Sequence, residues 1–324
     1  MLQGAQHVLA VRRVLLDRVM TGPTNTQRPE LLDPAQLNAL GGLEIRARWI
    51  VEGFLTGLHR SRKKGFSVEF AEHRPYMPGD DLRYMDWKMA ARADKWLIKL
   101  FEEETNLRAT IVLDVSKSMH WAGSPTRLTK LAYAETLVAA VSLLLLKQRD
   151  AVGLIRFDDD VRTVLPPRSR DLHFRRILAA LSEPGAGLGS DAPGALVRAA
   201  RLVPRPGMVI VVSDLLLDPD ETVHAVQVLR SAGHQVTVLH LLDPAERELS
   251  MPGAELVFVD PETGQEVEAA VGDVRAAYRA TVDEAIGEWR SRLAGAGASY
   301  EPIFTDSPFV VPVRRAFLSR RRLP

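Results

Sequence analysis

The sequence predicts an α/β protein built on a Rossmann-like, doubly wound and mostly parallel β-sheet. From about Thr110 onward, short apolar runs alternate with longer segments of helical periodicity, a pattern typical of a parallel sheet covered by helices on both faces. Each apolar run has the length of a strand. The predicted strands are residues 109–115, 151–157, 208–213, 235–242, 255–259 and 300–304.

Helix start signals lie between these strands. Each combines a capping residue, a proline in the first turn, or both. The predicted starts are Ser124-Pro125, Pro193, Asp218-Pro219 and Asp273, the last for a helix that runs towards Gly295.

Composition excludes several classes of protein. The chain has 324 residues, 46% of them apolar, which is enough to bury a core and excludes intrinsic disorder. It has no cysteine, which excludes disulfides and thiolate metal sites. With 42 basic and 41 acidic residues, it has no overall field that favours nucleic acid. Two basic runs, 59–64 and 320–322, are interpreted as a solvated loop and a terminus, with nucleic-acid binding as the competing hypothesis.

Neither a membrane span nor a secretory signal is expected. The longest apolar run, 137–146, is much shorter than the roughly 20 residues that a spanning helix needs. Charged residues interrupt the apolar positions of the first twenty residues, unlike the apolar region of a signal peptide. We therefore expect a cytoplasmic protein with no integral membrane segment.

The pattern changes along the chain predict three parts. Residues 1–105 contain two helical patterns, at about 5–20 and 33–57, followed by a polar-aromatic block with predicted strands at 67–70 and 96–101. Residues 106–305 carry the alternating strands and helices. Residues 306–324 form a basic extension.

Oxygen-bearing side chains follow two of the predicted strands. Asp114, Ser116 and Ser118 stand at alternate positions from the end of the first predicted strand onward, so an extended backbone would place their oxygens on one side. Asp214 follows the strand 208–213, and Ser190 precedes the helix that starts at Pro193. Ligands of doubly wound sheets bind at the carboxyl ends of strands, and hard oxygens suit Mg²⁺ or Mn²⁺. The alternative is that these side chains only cap a loop through local hydrogen bonds.

The pattern Asp114-x-Ser116-x-Ser118, then Ser190, then Asp214, resembles the metal-ion-dependent adhesion site of von Willebrand factor type A domains. The resemblance implies a metal that accepts a carboxylate from a partner protein. This sequence departs from the family pattern at two positions. Ser190 stands where threonine is usual and keeps the hydroxyl, and Leu215 stands where glycine is common after the last aspartate.

The preceding block resembles the signature of the DUF58 family. The matching residues include Gly65-Phe66-Ser67, Arg74-Pro75-Tyr76, Pro78-Gly79-Asp80-Asp81, Asp86-Trp87 and Ala91-Arg92. Such proteins are bacterial or archaeal and resemble partners of MoxR-type AAA+ ATPases, which implies a chaperone-like role in the assembly or activation of target proteins. The charged residues of the block form a partner-binding face, a catalytic pair of carboxylates, or a buried network of arginine-carboxylate bonds, and the buried network is the favoured interpretation. The candidates are Arg74, Asp80, Asp81, Asp86 and Arg92.

The leading hypothesis is a non-enzymatic, metal-dependent interaction module, and no catalytic residue is assigned. The sequence contains no GxxxxGK[ST], GxSxG or HExxH motif. The alternative is a Mg²⁺-dependent phosphohydrolase that uses the same oxygens. Three successive aspartates, 158–160, also suggest a metal, but a solvated turn into a following strand is the favoured interpretation.

Overall fold

The computed structural model describes residues 34, 41–62, 73–77, 85, 96–99, 107–184, 192–249, 255–259 and 266–318. The chain divides into two units, 1–30 and 31–324, and every described residue belongs to the second. In this part of the chain no helix combines the length and the hydropathy needed to cross a membrane.

A six-stranded sheet forms the centre of this unit. Its strands, in chain order, are β3 (Arg108–Asp114), β4 (Ala151–Phe157), β5 (Val161–Arg168), β6 (Met208–Ser213), β7 (Gln235–Leu242) and β10 (Ser299–Phe304). Their order across the sheet is β10-β7-β6-β3-β4-β5. All neighbours are parallel except β4 and β5, which are antiparallel. The predicted doubly wound, mostly parallel sheet is therefore confirmed.

In the described part of the chain, four short strands lie outside this sheet. β1 (His73–Pro75) pairs antiparallel with β2 (Leu97–Lys99), within the predicted strand at 96–101. β8 (Glu255–Val259) pairs antiparallel with β9 (Glu266–Ala270) as a separate two-stranded ribbon. The expectation that 255–259 belongs to the parallel sheet was therefore wrong, because a short apolar run does not reveal which partner the strand will find. The predicted strand at 67–70 lies outside the described residues.

Helices cover both faces of the sheet. They are α1 (Leu43–Arg62), α2 (Lys130–Lys147), α3 (Asp171–Leu181), α4 (Ala192–Arg201), α5 (Pro219–Ser231), α6 (Pro244–Glu248), α7 (Val271–Gly295) and α8 (Val310–Leu318). Three predicted starts are within two residues of the observed ones. The start predicted at Ser124-Pro125 was wrong: Ser124 accepts a turn hydrogen bond from the backbone N of Arg127 at 3.1 Å, and α2 begins later, behind the N-cap Thr129.

The sheet separates two apolar clusters. Ile111 and Leu113 of β3 point into one cluster with α1, α2 and α3, whereas Val112 points into the other with α4, α5 and α7, as the two-residue period of a strand requires. α2 is buried on nearly all sides, because α1 packs over it through Ala47, Ile50, Val51 and Phe54. A helix that begins before the α/β region thus completes the core of that region.

Candidate metal and partner-binding site

A crevice forms where the chain path leaves the sheet in opposite directions. From β3 the chain proceeds to β4 and β5 on one side, and from β6 it proceeds to β7 and β10 on the other. Adjacent parallel strands whose connections diverge leave an opening at their carboxyl ends, where ligands of such sheets bind. Asp114 ends β3, and Asp214 directly follows β6.

Asp114 is completely buried at this crevice. Its Oδ1 accepts a hydrogen bond from the backbone N of Ser116 at 2.9 Å, and its Oδ2 accepts one from the Oγ of Ser213 at 2.6 Å. Neutral groups supply both bonds, so they orient the carboxylate without cancelling its charge. The first of these bonds is a local capping contact, which was the alternative to a metal site. It comes from a backbone N and therefore does not explain the positions of the hydroxyls of Ser116 and Ser118.

The hydroxyls of Ser116 and Ser118 face each other at 3.1 Å between their Oγ atoms. Ser116 is extended, whereas Ser118 lies in a 3₁₀ turn over Lys117–His120. The turn, and not a continuous extended backbone as expected, therefore brings the two oxygens together. The Ser116 side chain does not cap this turn.

These oxygens fit a small divalent cation. Two neighbouring ligands of an octahedral ion, each at about 2.0 to 2.1 Å, lie about 2.8 to 3.0 Å apart, close to the observed hydroxyl spacing. One carboxylate and two hydroxyls are hard donors of the kind that Mg²⁺ and Mn²⁺ accept. Among the described residues, no cluster of three or more His, Cys, Asp or Glu side chains could hold a metal.

Asp214 is nearly as buried as Asp114, at 3% exposed, but its surroundings differ. Its Oδ2 forms an ion pair with the Nζ of Lys130 at 2.8 Å. Its Oδ1 accepts a hydrogen bond from the backbone N of Leu216 at 3.3 Å. Asp214 is therefore neutralised by a lysine, whereas Asp114 is not.

Leu215 adopts the backbone conformation that glycine favours at this position. Its φ is 52°, in the left-handed region that is costly for a side chain with a Cβ. Its side chain is buried, and its backbone N donates to the Oγ of Ser213 at 3.0 Å. Leucine thus adopts the left-handed backbone at this position, and burial of its side chain offsets the strain.

Further polar contacts around Asp214 fix the position of Lys130. The Nζ of Lys130 also contacts Oε1 of Glu246 at 2.5 Å. Oε2 of Glu246 accepts a hydrogen bond from the backbone N of Asp243, which completes a capping box at the start of α6. Asp243 in turn pairs with Arg127 at 2.6 Å. These residues were not predicted as part of the site, although Asp243-Pro244 followed by Glu246 is a recognisable helix start signal.

His240 supports the loop from beneath. Burial lowers the pKa of His240 to about 4, so its ring is neutral at physiological pH. Its Nε2 lies 2.9 Å from the backbone O of Asp214, and its Nδ1 lies 2.7 Å from the hydroxyl of Tyr300. Nε2 therefore donates to the carbonyl and Nδ1 accepts from the tyrosine. Because both ring nitrogens are engaged, His240 is a structural residue.

The charges of the crevice are unequal. Burial and repulsion from Asp214 raise the pKa of Asp114 to about 7, although the hydrogen bonds from Ser116 and Ser213 act in the opposite direction. Burial acts to lower the pKa of Lys130, but the ion pairs with Asp214 and Glu246 outweigh it and raise this pKa. A cation beside Asp114 would relieve the repulsion between the two aspartates.

Arg156 anchors the chain ahead of the segment that carries Ser190. This arginine of β4 is buried, and its Nη2 donates to the backbone O of Glu183 at 2.5 Å. Asp158, which follows β4, is only 1% exposed and pairs with the Nε of Arg162 at 2.6 Å. The predicted solvated turn at 158–160 was therefore wrong for Asp158, because Arg162 of β5 folds back over it.

The other predicted site residues fall largely outside the described part of the chain. Ser190, Asp80, Asp81, Asp86 and Arg92 all lie outside it. Arg74 lies on β1 with its backbone opposite Ile98 of β2. The side chains of both basic runs, 59–64 and 320–322, also lie outside the described residues. Partner binding by these residues stays a prediction.

Comparison with known proteins identifies a family and several distant relatives. A family model described as "Protein of unknown function DUF58" matches residues 72–287. An uncharacterized protein of Mycobacterium tuberculosis and one of Mycobacterium bovis are each 28% identical over 311 residues, which cover 93% of this chain and 94% of the relative.

Several solved structures are similar in part. An aerotolerance-related membrane protein from Bacteroides fragilis is 19% identical, with 67% of this chain and 100% of that chain covered and a TM-score of 0.43. The conserved hypothetical protein BatB from Bacteroides thetaiotaomicron is 19% identical with the same coverage and a TM-score of 0.40. The VWA domain of SpRpn10 is 10% identical over 64% of this chain and 93% of that chain, with a TM-score of 0.36.

Proposed function

We propose that this protein, which belongs to the DUF58 family, is a non-enzymatic interaction module that binds an acidic side chain of a partner through a Mg²⁺ or Mn²⁺ site. The observation that carries the proposal is the convergence of the Asp114 carboxylate with the hydroxyls of Ser116 and Ser118 at the crevice between β3 and β6. Asp214 supports the site from β6, and Ser190 is its proposed further hydroxyl ligand.

Each residue has a distinct role in this proposal. Asp114, Ser116 and Ser118 would hold the ion directly. Ser213 and the backbone N of Ser116 keep the Asp114 carboxylate oriented towards the crevice. The bound ion supplies a hard positive centre with room for a carboxylate from outside the chain. With one carboxylate and neutral hydroxyls around it, the centre keeps net positive charge and therefore attracts an acidic partner.

The partner we propose is a MoxR-type AAA+ ATPase or the target protein on which that ATPase acts. The support is the resemblance of the polar-aromatic block to the family signature, together with a site whose chemistry suits an acidic side chain. In this proposal the protein works in the cytoplasm and links the ATPase to a protein that is being assembled or activated.

The metal site is tested by titration of Mn²⁺ into metal-free protein, followed by calorimetry. We expect one ion per chain for the wild type and no measurable binding for Asp114→Asn. The matched control is Asp283→Asn, which changes an exposed aspartate of α7 that pairs with Arg247. Wild-type affinity in the control and loss in Asp114→Asn supports the proposal. A folded wild-type protein that binds no Mn²⁺ contradicts it.

Partner binding is tested with the purified MoxR-type ATPase encoded in the same genome. We expect the immobilised wild type to retain the ATPase in Mg²⁺ and to release it in EDTA, and we expect Asp114→Asn to retain none. Retention that is equal in Mg²⁺ and EDTA would place the ATPase contact away from this site.

The phosphohydrolase alternative has a direct test on the same proteins. Turnover of p-nitrophenyl phosphate by the wild type, abolished in Asp114→Asn and intact in Asp283→Asn, would favour it. His240, the one imidazole hydrogen-bonded to the described site, has both nitrogens engaged and is not placed as a general base.

A further inference from the structure

Lys130 is a buried cation at the centre of the candidate site. It is the first residue of α2 and is 1% exposed. Its ammonium contacts Oδ2 of Asp214 at 2.8 Å and Oε1 of Glu246 at 2.5 Å. Among the residues that the structure describes, the nearby Asp114 receives hydrogen bonds only from neutral donors.

The surroundings hold this ammonium in place. Thr129 caps α2 by accepting a hydrogen bond from the backbone N of Ala132 at 3.1 Å, which fixes the start of the helix. Glu246 is fixed by its second oxygen, which accepts from the backbone N of Asp243 at 2.8 Å. The ring of Trp121 lies 6.0 Å from the Nζ of Lys130. A buried charge with two fixed partners is costly to displace, because displacement leaves carboxylates buried and uncompensated.

The two aspartates of the crevice therefore differ in how readily each can bind a metal ion directly. Both oxygens of Asp214 are engaged, one by a full positive charge and one by the backbone N of Leu216. A divalent ion that bound Asp214 directly would have to displace Lys130. No such competition exists at Asp114, whose carboxylate charge is uncompensated by the described residues.

We infer that Lys130 is the resident counter-ion of Asp214, and that it prevents this aspartate from binding a metal directly. The inference rests on the proposed function and deepens it. Lys130 acts as a positioning residue that leaves Asp114 as the one aspartate of the crevice to bind the ion directly. The ion then keeps more of its positive charge, which favours a carboxylate from an acidic partner.

The test compares Mn²⁺ binding to the wild type and to the double variant Lys130→Met/Glu246→Gln. The double variant removes one positive and one negative charge, so Asp214 loses its counter-ion while no unpaired carboxylate is left at position 246. We expect it to bind Mn²⁺ about tenfold or more tightly, because a second carboxylate becomes a ligand and affinity rises with ligand charge. Lys130→Arg keeps the charge and should stay within about threefold of the wild type, since Arg also pairs with carboxylates.

A second measurement distinguishes the gain of Asp214 as a metal ligand from an effect of altered charge on the affinity. The relaxation of water protons by bound Mn²⁺ reports how many waters the ion carries. We expect the double variant to lose about one coordinated water relative to the wild type, because Asp214 takes its position. Glu246→Gln alone keeps Lys130 on Asp214 and should keep the wild-type number of waters.

The outcomes distinguish this inference from the proposed function. If the wild type binds Mn²⁺ and the folded double variant shows neither a higher affinity nor a lost water, the role of Lys130 is overturned and the proposed metal site remains. Binding by the double variant alone supports the role of Lys130 and overturns the proposed metal site of the wild type. Absence of Mn²⁺ binding in every folded variant overturns both.

Discussion

Replacement of Asp114 by asparagine should stabilise the metal-free protein at neutral pH. Burial and repulsion from Asp214 raise the pKa of Asp114 from 3.8 to about 7. Between these two values the folded state holds a proton that the unfolded state has lost, so the free energy of unfolding falls as pH rises. Above about pH 7 the folded protein carries the whole cost of the buried charge, and asparagine removes that cost without changing the size of the side chain.

The magnitude follows from the shift. A pKa change of one unit corresponds to about 1.4 kcal/mol, so the rise at Asp114 costs up to about 4 kcal/mol at pH 8. The amide group of asparagine fits the hydroxyl of Ser213 less well than a carboxylate oxygen does, which costs about 1 kcal/mol. We therefore expect Asp114→Asn to gain about 1 to 3 kcal/mol at pH 8 and close to nothing at pH 4.5.

Urea denaturation followed by circular dichroism measures this difference in EDTA at both pH values. Other titrating groups are common to the two proteins and cancel in the comparison. Addition of Mg²⁺ should cancel or reverse the advantage of the variant, because ligand at about 100 times its dissociation constant stabilises the wild type alone by about 2.7 kcal/mol. A variant that is less stable than the wild type at pH 8 in EDTA would refute the reasoning, since Asp114 would then not be a destabilising charge.

Three further predictions concern residues that are not themselves proposed metal ligands. Burial raises the pKa of Glu135 to about 7, although two arginines act in the opposite direction. As the pH rises from about 4.5 to 7, the free energy of unfolding of the wild type should therefore fall by about 1 to 2 kcal/mol, and that of Glu135→Gln should not show this fall. Urea denaturation at several pH values across this range measures the difference. Leu215→Gly relieves the strain of the left-handed backbone but removes a buried side chain. The free energy of unfolding should therefore fall by about 1 to 3 kcal/mol, and a rise would contradict this reasoning. Gly207→Ala would place a Cβ 2.4 Å from a backbone oxygen of β3 and should cost more than about 2 kcal/mol by thermal denaturation. The control Gly287→Ala, in the open middle of α7, should gain about 0.5 to 1 kcal/mol.

Local patterns predicted most of the sheet. The strands at 151–157, 208–213 and 235–242 have the predicted bounds, because each is a mostly apolar run of strand length that lies between two neighbouring strands. The strand at 255–259 has the predicted bounds as well, but its partner is β9. A strand's existence depends on its own residues, whereas its partner depends on the rest of the fold.

The start of α2 shows the same division. Ser124-Pro125 is a good local start signal, yet Lys130 is the first helical residue. The later start places the ammonium of Lys130 between Asp214 and Glu246. The observed start of α2 thus coincides with ion pairs between residues that are distant in the chain, and the local signal at Ser124-Pro125 does not predict it.

At the candidate site, residue type and short spacing predict that Asp114 and Asp214 stand at the carboxyl ends of two strands of one mostly parallel sheet, with two hydroxyls close to Asp114. The difference between the two carboxylates is seen only in the folded protein, because Lys130, which pairs with Asp214, lies 84 residues before it in the chain. Charge pairing over such separations depends on how helices pack against the sheet, and no local pattern encodes which lysine reaches which aspartate.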